Sequence, residues 1–541
     1  MIKKLRILAL AIFMIIIMHT TVYANIDGYI RVGVGSSASS ISIEAASLDV
    51  FFILDGDFEN MGNIVGSGVF TISADSSYYI FIEDTNSGYL AALNSASGRN
   101  ASPVLLERGT WGVYAGPFGS RAEAQNHAFA NGGALVEPNG RRLALNSGGQ
   151  VLAVFENYRL TPFFADGRGG KININGSYYR GYLDAHRSGS NITPVNVVNI
   201  EEYLFSVVPS EMPASWHMEA LKAQAVAARS YAYTTLGAHA NQGFDLCNTE
   251  HCQVYWGMSR ETEATTAAVL YTRGILAFFD GEIINAVYSS SSGGITDDSE
   301  NVWIAASPYL RGRSDIYDTT GREWTRTLTL TELTAIARAN NYNIGNVTSM
   351  QITEISSTGR VLRVTLTGEN GTINLERERI RTFFGPSAGG NLYSRNFRIG
   401  SFALTVDGTV INTTLNNTSL IFTMSNTDTS QIEVGHLMVL GADGEIVPII
   451  GRAANVQTAV GVQTLRASGG SALPPTHINN VQVTGGVASN GYVITLIGRG
   501  WGHGVGMSQH GARGMAEAGY TFDEILKHYY TGITLSPRRE D

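Results

Sequence analysis

The segment that most restricts the fold is an alanine-rich stretch, Glu219-Ala-Leu-Lys-Ala-Gln-Ala-Val-Ala-Ala-Arg-Ser-Tyr231. It predicts a helix from about Trp216 to Leu236, because its apolar residues recur with helical spacing. One face of this helix carries small and apolar side chains, at Leu221, Ala225, Ala228 and Ala232. Side chains this small leave the helix backbone accessible, so we expect another element to approach this face closely.

A single carboxylate, Glu211, stands just before this helix in the stretch Val207-Val-Pro-Ser-Glu-Met-Pro-Ala-Ser-Trp216. Pro209 and Pro213 stiffen the backbone on both sides, and each biases the preceding residue away from helical geometry. We therefore expect Glu211 on a rigid bend at the mouth of the helix. A general acid must be aimed at one substrate oxygen, which such a bend would achieve. The alternative is a helix N-terminal carboxylate that the helix dipole favours.

Composition narrows the class of protein. Glycine contributes 61 of 541 residues while charged residues make up only 15%, a balance typical of a β-rich chain with many turns. The net charge of −9 argues against a nucleic-acid partner, which would favour a basic surface. Binding to an anionic cell wall would then depend on shape, hydrogen bonds and stacking. Two cysteines are too few for a disulfide scaffold.

The first 24 residues predict export. Basic residues in Met1-Ile-Lys-Lys-Leu-Arg6 precede an apolar run from Ile7 to Met18 and then Val22-Tyr-Ala24, which is the order of a secretory signal peptide over residues 1–24. The apolar run is short for a membrane span. We expect an exported protein that is secreted, or held at the membrane by an uncleaved signal.

Residues 25–165 predict two β-rich segments. Residues 25–75 show short apolar runs separated by Gly, Ser and Asp clusters, which predict strands and hairpins. Residues 76–165 predict two strands and a helix that begins at Ser120-Arg-Ala-Glu123, with capping-box spacing, and ends at Gly132. The stretch from Trp111 to Ala130 resembles the sporulation-related repeat domain that binds peptidoglycan glycan strands, with an unrelated β-β-α piece as the alternative.

The remaining chain predicts an α+β fold with its core in residues 166–400. A hairpin over Lys171–Leu183 turns at Asn175-Gly176. Residues 401–480 are rich in Thr, Asn and Val and contain the turn pairs Asp407-Gly408 and Asp443-Gly444, which predict an inserted β subdomain. Residues 481–541 carry a Gly/His loop and an amphipathic helix over Phe522–Tyr530, and we expect them to complete the core.

A group of metal-ligand residue types follows the alanine-rich helix. Cys247, His251 and Cys252 lie within six positions, and His239 lies just upstream. Two thiolates and two imidazoles make a complete tetrahedral zinc set, and four protein ligands would leave no open position for water, so such a site would be structural. In an exported protein, a disulfide between the two cysteines is the alternative.

The stretch Gly498-Arg-Gly-Trp-Gly-His-Gly-Val-Gly-Met-Ser-Gln-His-Gly511 has glycine at nearly every second position, which permits close backbone approach to a ligand. Trp501 offers a flat face for a sugar ring. His503 and His510 are candidate ligands or substrate contacts, or are merely hydrogen-bonded. No Gly-Lys-Ser/Thr follows, so this is not a phosphate loop. Ser508 lacks the second glycine of a nucleophile elbow, which argues against a serine hydrolase.

Two basic residues occur on the alanine-rich helix. Lys222 and Arg229 are seven positions apart and therefore lie on one face, two turns from each other. They could contact acetamide or carboxylate groups of a sugar, or hold Glu211 in place. The alternative is a solvated helix face.

Together these motifs resemble the stage II sporulation protein D family, which includes the amidase enhancer LytB. The resemblance covers roughly residues 170–400 and 485–535 and is carried by linked stretches, namely Pro209–Trp216, Glu219–Tyr231, Cys247–Tyr255, Ser289–Thr296 and Gly500–Tyr530. It does not cover the N-terminal part or residues 401–475. Tyr288-Ser289 departs from the Phe-His pair of some members, and His239 lies further from Cys247 than expected.

The resemblance implies a lytic transglycosylase that cleaves peptidoglycan glycan strands and prefers strands stripped of stem peptides. Glu211 matches the catalytic acid/base, and Lys222 and Arg229 match positions that line the cleft. The opposite wall is matched by hydroxyl side chains of the Ser/Gly loop, at Ser291, Ser292 and Thr296, and Trp501 and His503 complete the substrate-binding set. A structural zinc site near the Cys-His-Cys segment is also implied, with no catalytic cofactor.

One carboxylate suffices for this chemistry. A hydrolytic glycosidase ordinarily uses two, whereas in a lytic transglycosylase the C6 hydroxyl of the muramic acid itself attacks C1. We expect a long cleft between Glu211 and residues 289–296. Two other functions stay open. One is a non-catalytic module that binds wall glycan and enhances a cell-wall amidase or another wall hydrolase; the other is a structural spore or wall protein.

Overall fold

A computed structural model of the full chain places two compact units. It describes residues 28–538 except 55, 86, 108, 158–159, 321, 386–388, 407–408, 415–436, 441–445, 450–452, 459–460 and 467–491. The predicted signal peptide, the pairs Asp407-Gly408 and Asp443-Gly444, and much of the predicted insert lie outside the described residues. Unit 1 comprises Met1–Ala277, Ile283–Asn285 and Ser536–Asp541, and unit 2 comprises Phe278–Glu282 and Ala286–Leu535.

Unit 1 is built mainly of strands. Their bounds are β1 Tyr29–Gly33, β2 Ser40–Glu44, β3 Ser47–Leu54, β4 Asp57–Val65, β5 Val69–Ala74, β6 Tyr78–Asp84, β7 Ala101–Leu105, β8 Trp111–Phe118, β9 Ala134–Val136, β10 Leu143–Ser147, β11 Gln150–Phe155, β12 Phe163–Asp166, β13 Lys171–Ile174, β14 Ser177–Arg180, β15 Tyr182–Ser188, β16 Asn191–Asn199 and β17 Leu246–Cys247. One sheet has the order β17-β1-β16-β15-β12-β3-β4 and a second has β2-β5-β10-β11-β7-β8-β6-β9. Strands from residues 29–74 thus enter both sheets.

The helices of unit 1 have the bounds α1 Tyr89–Ala96, α2 Arg121–Asn131, α3 Ile200–Glu211, α4 Met218–Thr234 and α5 Glu263–Tyr271. Short 3-10 turns cover Ala240–Gln242 and Gly257–Arg260. Helix α4 is the predicted alanine-rich helix, and its alanines from Ala220 to Ala232 are completely buried, which confirms the predicted close packing. Helices α3 and α5 pack against it.

Residues 78–136 have a complete β-α-β-β-α-β order, β6-α1-β7-β8-α2-β9. Their strands lie in the order β7-β8-β6-β9 and pair antiparallel throughout, which is the split β-α-β arrangement. The predicted cap of α2 is confirmed, because the Ser120 hydroxyl accepts a hydrogen bond from the Glu123 N–H at 3.2 Å and Gly132 ends the helix with φ of 77°. The sequence revealed only part of this fold, namely strands β6 and β8 and helix α2.

The predicted hairpin at Asn175-Gly176 is confirmed. Strands β13 and β14 pair antiparallel on either side of these two residues. Asn175 and Gly176 have φ of 49° and 87°, the left-handed values that a two-residue hairpin turn with this twist requires. The turn is also tied to β2, because the Ser42 N–H donates to the Asn175 side chain at 2.9 Å.

Unit 2 combines several smaller sheets. Its strands are β20 Tyr288–Ser289, β21 Glu323–Thr329, β22 Val347–Ile355, β23 Val361–Gly368, β24 Gly371–Glu376, β25 Phe397–Val406, β26 Thr409–Thr414, β27 Leu437–Leu440, β28 Ile446–Ile449, β29 Ala453–Thr458, β30 Gly461–Arg466, β31 Tyr492–Arg499 and β32 Met507–Ser508. Among the described residues of unit 2, the largest sheet has the order β21-β31-β25-β26. Strand β25 enters the predicted insert, residues 401–480, and β26 lies inside it, so the start of the insert belongs to this sheet. At the points where the chain passes between units lie β18 Ile275–Phe279, β19 Glu282–Ile283 and β33 Thr534–Pro537.

The helices of unit 2 are α6 Leu330–Ala339, α7 Arg379–Thr382, α8 Gln509–Glu517 and α9 Phe522–Tyr529, with a 3-10 turn at Ser299–Asn301. Helix α6 begins at a capping box made by Thr329 and Glu332 and packs its buried face on β22. Leu333, Ile336 and Leu366 belong to the core that forms there. The molecule is thus an α+β protein, as predicted. Within the described residues, no helix combines the length and apolar character that crossing a membrane requires.

Candidate active site and metal centre

Glu211 is the last residue of α3, and Pro209 lies inside this helix. The helix therefore continues past the proline that was expected to disrupt it. Val207, Val208 and Met212 are completely buried, so packing of the helix fixes the backbone at Glu211. The predicted rigid bend is a helix C-terminus, and the alternative of a helix N-terminal carboxylate is wrong.

The carboxylate of Glu211 is half-buried and accepts a hydrogen bond from the Val254 N–H, with N and Oε1 3.1 Å apart. This hydrogen bond holds the carboxylate in one position at the end of the helix.

The loop over residues 252–257 presents this N–H and is anchored to both neighbouring helices. The Gln253 side chain donates to the Ala228 carbonyl on α4 at 3.2 Å and accepts from the Tyr203 hydroxyl on α3 at 3.1 Å. The Trp256 N–H donates to the Ser206 hydroxyl on α3 at 3.2 Å. The loop is therefore held in one position, with the Trp256 side chain 55% exposed beside the glutamate's hydrogen-bond donor.

The four predicted metal ligands meet in one cluster. One nitrogen or sulfur atom from each of His239, Cys247, His251 and Cys252 lies within 4.8 Å of all the others. The Cys252 sulfur is 3.3 Å from His239 Nε2 and 3.5 Å from His251 Nδ1, and the Cys247 sulfur is 3.7 Å from His251 Nδ1. Bonds of about 2.0–2.3 Å from one zinc ion would give a tetrahedral shell of similar size. The donor set therefore fits a structural zinc ion.

Both cysteines of the cluster are free thiols in this structure. Burial opposes ionisation of Cys247, but hydrogen bonds from Thr249 and neighbouring cluster residues lower its pKa to about 7. Burial raises the pKa of Cys252 to about 12. The pair therefore gives up its first proton near neutral pH, and a cation would be needed to hold the second thiolate.

Arg229 is completely buried and makes a bidentate ion pair with Glu201 of α3, with Nε–Oε1 2.9 Å and Nη2–Oε2 2.6 Å. It also donates to the carbonyl oxygens of Ile275 and Val269. The guanidinium thus braces α4 against α3 and the segment after α5. The alternative of a solvated helix face is wrong at this position, and the predicted sugar contact stays a prediction.

Lys222 is 8% exposed. Its ammonium group lies 2.7 Å from Glu219 Oε1 and 3.5 Å from the ring centroid of Tyr271, which is 66% exposed. A cation held against the face of an exposed aromatic ring is partly desolvated and pre-positioned. A solvated helix face is therefore wrong for Lys222 as well, and its predicted substrate contact stays a prediction.

In unit 2, the predicted wall residues Ser291, Ser292 and Thr296 are each 1% exposed. The Ser291 hydroxyl donates to Asp318 at 2.6 Å, and the Ser292 hydroxyl donates to Asp315 at 2.6 Å. The Thr296 hydroxyl accepts from a backbone N–H at 2.8 Å. These hydroxyls therefore pair with buried groups of residues 313–318, and their predicted contact with substrate stays a prediction.

Trp501 and His503 differ in what they can offer a ligand. Trp501 is 42% exposed, as a sugar-stacking residue requires. His503 lies against Trp303, with ring centroids 5.1 Å apart, and its Nδ1 accepts from the Val505 N–H at 3.0 Å. Burial, and then the nearby guanidinium of Arg381, lower the pKa of His503 to about 3. It is therefore a neutral imidazole at physiological pH. His510, the other candidate, is half-buried near Arg322.

Three residues that matter at these sites were missed from the sequence. Glu201 forms the ion pair with Arg229 from 28 positions away along the chain. Asp318 accepts hydrogen bonds from the hydroxyls of Ser291 and Ser292, which lie 27 and 26 positions away. No local pattern marks either pairing. Trp256 could have been noticed, because it lies four positions after Cys252 and a tryptophan beside Gly257 suggests an exposed loop.

The structure brings Glu211, Lys222 and the four cluster ligands into one unit, around α3 and α4. Trp501, His503 and the 289–296 loop belong to the other unit. The predicted cleft between Glu211 and this loop stays a prediction. Unit 1 therefore combines strands and helices. It contains Glu211 at the end of a helix and, beside it, a metal-ligand cluster of two cysteines and two histidines.

Comparison with known proteins specifies this class further. The model of the stage II sporulation protein family matches residues 188–279, which contain Glu211, Lys222, Arg229 and the cluster ligands. The model of a domain of unknown function matches residues 301–410. Together with the relatives below, these matches show that the chain belongs to the stage II sporulation protein D family, which includes the amidase enhancer.

Three relatives illustrate the match. An uncharacterized protein of Brachyspira hyodysenteriae is 31% identical over 366 residues, which are 67% of this chain and 74% of that protein. Stage II sporulation protein D of Bacillus subtilis is 27% identical over 370 residues, 66% of this chain and 78% of the relative. The amidase enhancer of Bacillus subtilis is 29% identical over 337 residues, 62% of this chain, and only 40% of the enhancer's own length is covered.

Proposed function

We propose that this protein is an exported lytic transglycosylase that cleaves peptidoglycan glycan strands with Glu211 as its single acid/base. The observation that carries the proposal is the setting of Glu211, half-buried at the end of α3 and held by the Val254 N–H. A carboxylate fixed in this way can be aimed at one oxygen of a bound strand. The signal-like residues 1–24 support the location. Membership of the family of stage II sporulation protein D and the amidase enhancer is consistent with the substrate class.

The reaction balances with one carboxyl group. Glu211 in its protonated form donates its proton to the glycosidic oxygen, and the bond from that oxygen to C1 of the muramic acid breaks. The carboxylate that remains accepts the proton of the C6 hydroxyl, whose oxygen forms the new bond to C1. The products are a 1,6-anhydromuramyl end and a new free hydroxyl on the leaving sugar, and Glu211 is protonated again. Water takes no part.

The cluster at His239, Cys247, His251 and Cys252 would hold a structural zinc ion beside this site. A zinc ion bound by four protein ligands supplies rigidity, because no coordination position is left for substrate. Its effect on the reaction would pass through Val254, which follows Cys252 by two residues and donates to Glu211. The proposed metal therefore positions the acid and takes no step in the chemistry.

Cleavage of peptide-free glycan strands tests the function. The mature protein should release fragments with 1,6-anhydromuramyl ends, detected by mass spectrometry. Glu211→Gln should lose about three orders of magnitude or more in rate, because it removes the general acid. Glu282→Gln alters a solvent-exposed glutamate and should leave the rate unchanged. Reducing ends in place of anhydro ends would reject the transglycosylase and require a second carboxylate.

The second candidate is a glycan-binding enhancer of a cell-wall amidase, favoured by the similarity to the amidase enhancer of Bacillus subtilis. The split β-α-β module over residues 78–136 supports it, since the predicted sporulation-repeat resemblance falls on that module. In this case the purified chain would bind glycan, leave it uncut, and raise the rate of an added wall amidase. Glu211→Gln would then retain the full effect.

A further inference from the structure

Two exposed aromatic rings stack on each other in unit 2. The ring centroids of Trp501 and Tyr393 are 4.2 Å apart with planes inclined by 30°, and the residues are 42% and 39% exposed. Large aromatic residues usually bury most of their surface. The rings are inclined and do not share one plane, and the part of each ring that stays in water is apolar surface of the kind on which sugar rings pack.

A guanidinium group adjoins this aromatic pair. Arg322 is exposed, and its Cζ atom lies 5.3 Å from the ring centroid of Trp501. Within the described part of the chain, no hydrogen bond or ion pair engages its side chain. The charge is therefore held in place by the indole ring while its N–H donors remain available. A planar guanidinium with free donors matches a carboxylate, which it can bind through two hydrogen bonds.

Three consecutive residues of the glycine loop hold the aromatic pair and Arg322 together. The Gly500 N–H donates to the Arg322 carbonyl at 3.1 Å, and the Gly502 N–H donates to the Tyr393 carbonyl at 2.8 Å. Between them, Trp501 exchanges two backbone hydrogen bonds with Ser291, at 2.9 and 3.1 Å. The three side chains are thus fixed by one short piece of backbone before any ligand binds.

The loop can adopt this path only with glycine on both sides of the tryptophan. Gly500 and Gly502 have φ of 81° and 108°. A Cβ atom on Gly502 would lie 2.7 Å from the Cβ atom of Ser289, and one on Gly500 would lie 2.9 Å from the Ser291 carbonyl oxygen. The glycines on both sides of Trp501 therefore fix the position of this residue. This role accounts for glycine at these two positions without a bound phosphate.

We propose that Trp501, Tyr393 and Arg322 form a subsite for an acidic sugar, namely a muramic acid whose lactyl carboxylate carries no peptide. The inference rests on the proposed glycan substrate. The aromatic pair contacts the sugar ring, and Arg322 binds the free carboxylate. On a peptide-bearing strand the same group is a neutral amide, which offers no charge to the guanidinium. Arg322 is thus a specificity-determining residue that distinguishes peptide-free from peptide-bearing muramic acid.

Binding to two matched glycans tests the subsite. The full mature chain is used in a Glu211→Gln background, so that no strand is cut. One probe is peptide-free glycan; the other is the same glycan with its lactyl carboxylates converted to methylamides. By calorimetry, the protein should bind the free-carboxylate probe about tenfold more tightly, the range expected for a charge-assisted contact at a solvent-exposed site.

Arg322→Gln should abolish this preference while leaving the affinity for the methylamide probe unchanged. Arg338→Gln, which alters an exposed arginine elsewhere in unit 2, should keep the preference. Trp501→Ala should weaken the binding of both probes, and Trp501→Phe should retain most of the wild-type affinity. The proposal is overturned if Arg322→Gln retains the preference or weakens both probes equally. Because binding is measured separately from cleavage, the two proposals can fail independently: wild-type protein that cuts no strand in the cleavage assay would reject the proposed enzyme, and selective binding measured here would still support the subsite.

Discussion

Replacing Arg229 with methionine is expected to lower the free energy of unfolding, and the structure indicates by how much. The side chains of Arg229 and Glu201 are 0% and 10% exposed and share two hydrogen bonds. Removal of one partner leaves the other charge buried, which typically costs about 3–5 kcal/mol. Glu201 would keep one donor, the Gly274 N–H at 3.1 Å, so we expect the lower half of that range.

Urea unfolding followed by circular dichroism, with zinc present throughout, measures this cost. Arg229→Met should lower the free energy of unfolding by about 3 kcal/mol. The double variant Arg229→Met/Glu201→Leu should recover much of the loss, because no unpaired charge then remains in the interior. Arg273→Met alters an exposed arginine of the same unit and should change stability by less than about 0.5 kcal/mol.

The opposite outcome would be equally informative. If Arg229→Met cost less than about 1 kcal/mol but removed glycan binding, the buried ion pair would not be the main role of Arg229. The residue would then have to reach substrate, as the family resemblance implies, and the bracing of α4 would have to come from other contacts. A double variant no more stable than Arg229→Met would also refute the reasoning, since the energy would not reside in the pair.

Three further predictions concern the metal, the glycine-rich loop that contains His503, and the loop over residues 252–257. A chelator should lower the thermal midpoint of the wild type but not that of Cys252→Ser, which should also contain less zinc by elemental analysis. His503 has a folded pKa of about 3 against an unfolded value of about 6.5, so its contribution to stability is present above pH 6.5 and is lost as the pH falls. Between pH 7 and pH 5 the wild type should lose at most about 2 kcal/mol more than His503→Asn, measured by urea unfolding at each pH. Gly257→Ala should cost more than the roughly 1 kcal/mol typical of a left-handed glycine, because its Cβ would lie 2.4 Å from the Tyr178 carbonyl oxygen; thermal unfolding beside Gly281→Ala, whose Cβ meets nothing within 4 Å, checks this.

Features that depend on a few neighbouring residues could be predicted from the sequence. The Asn175-Gly176 turn and the Ser120 cap are set by backbone preferences of two to four residues, and both formed as expected. The metal-ligand cluster was predictable for a related reason. His251 and the two cysteines are so close along the chain that a single loop can bring them together, and only His239 depends on the path of the chain after α4.

Features that depend on a distant partner could not be predicted. Lys222 and Arg229 have helical spacing that suits a solvated face or a substrate cleft, yet both are buried because Glu201 and Tyr271 lie opposite them. The serine loop gives the same lesson. Its hydroxyls point to Asp315 and Asp318, whose positions are set by the tertiary fold. Residue type and spacing thus select candidate positions, but the tertiary fold sets the surroundings of each one.

Glu211 shows how the two kinds of information combine. Pro209 suggested a break, because a proline inside a helix leaves one carbonyl without its usual N–H donor. The helix nonetheless continues for two more residues, since complete burial of Val207, Val208 and Met212 outweighs that loss. Glu211 is therefore fixed from two sides, its backbone by the packing of α3 and its carboxylate by the Val254 N–H. Because Val254 follows Cys252 by two residues, we expect the order of the metal-ligand loop to determine how firmly the Glu211 carboxylate is held.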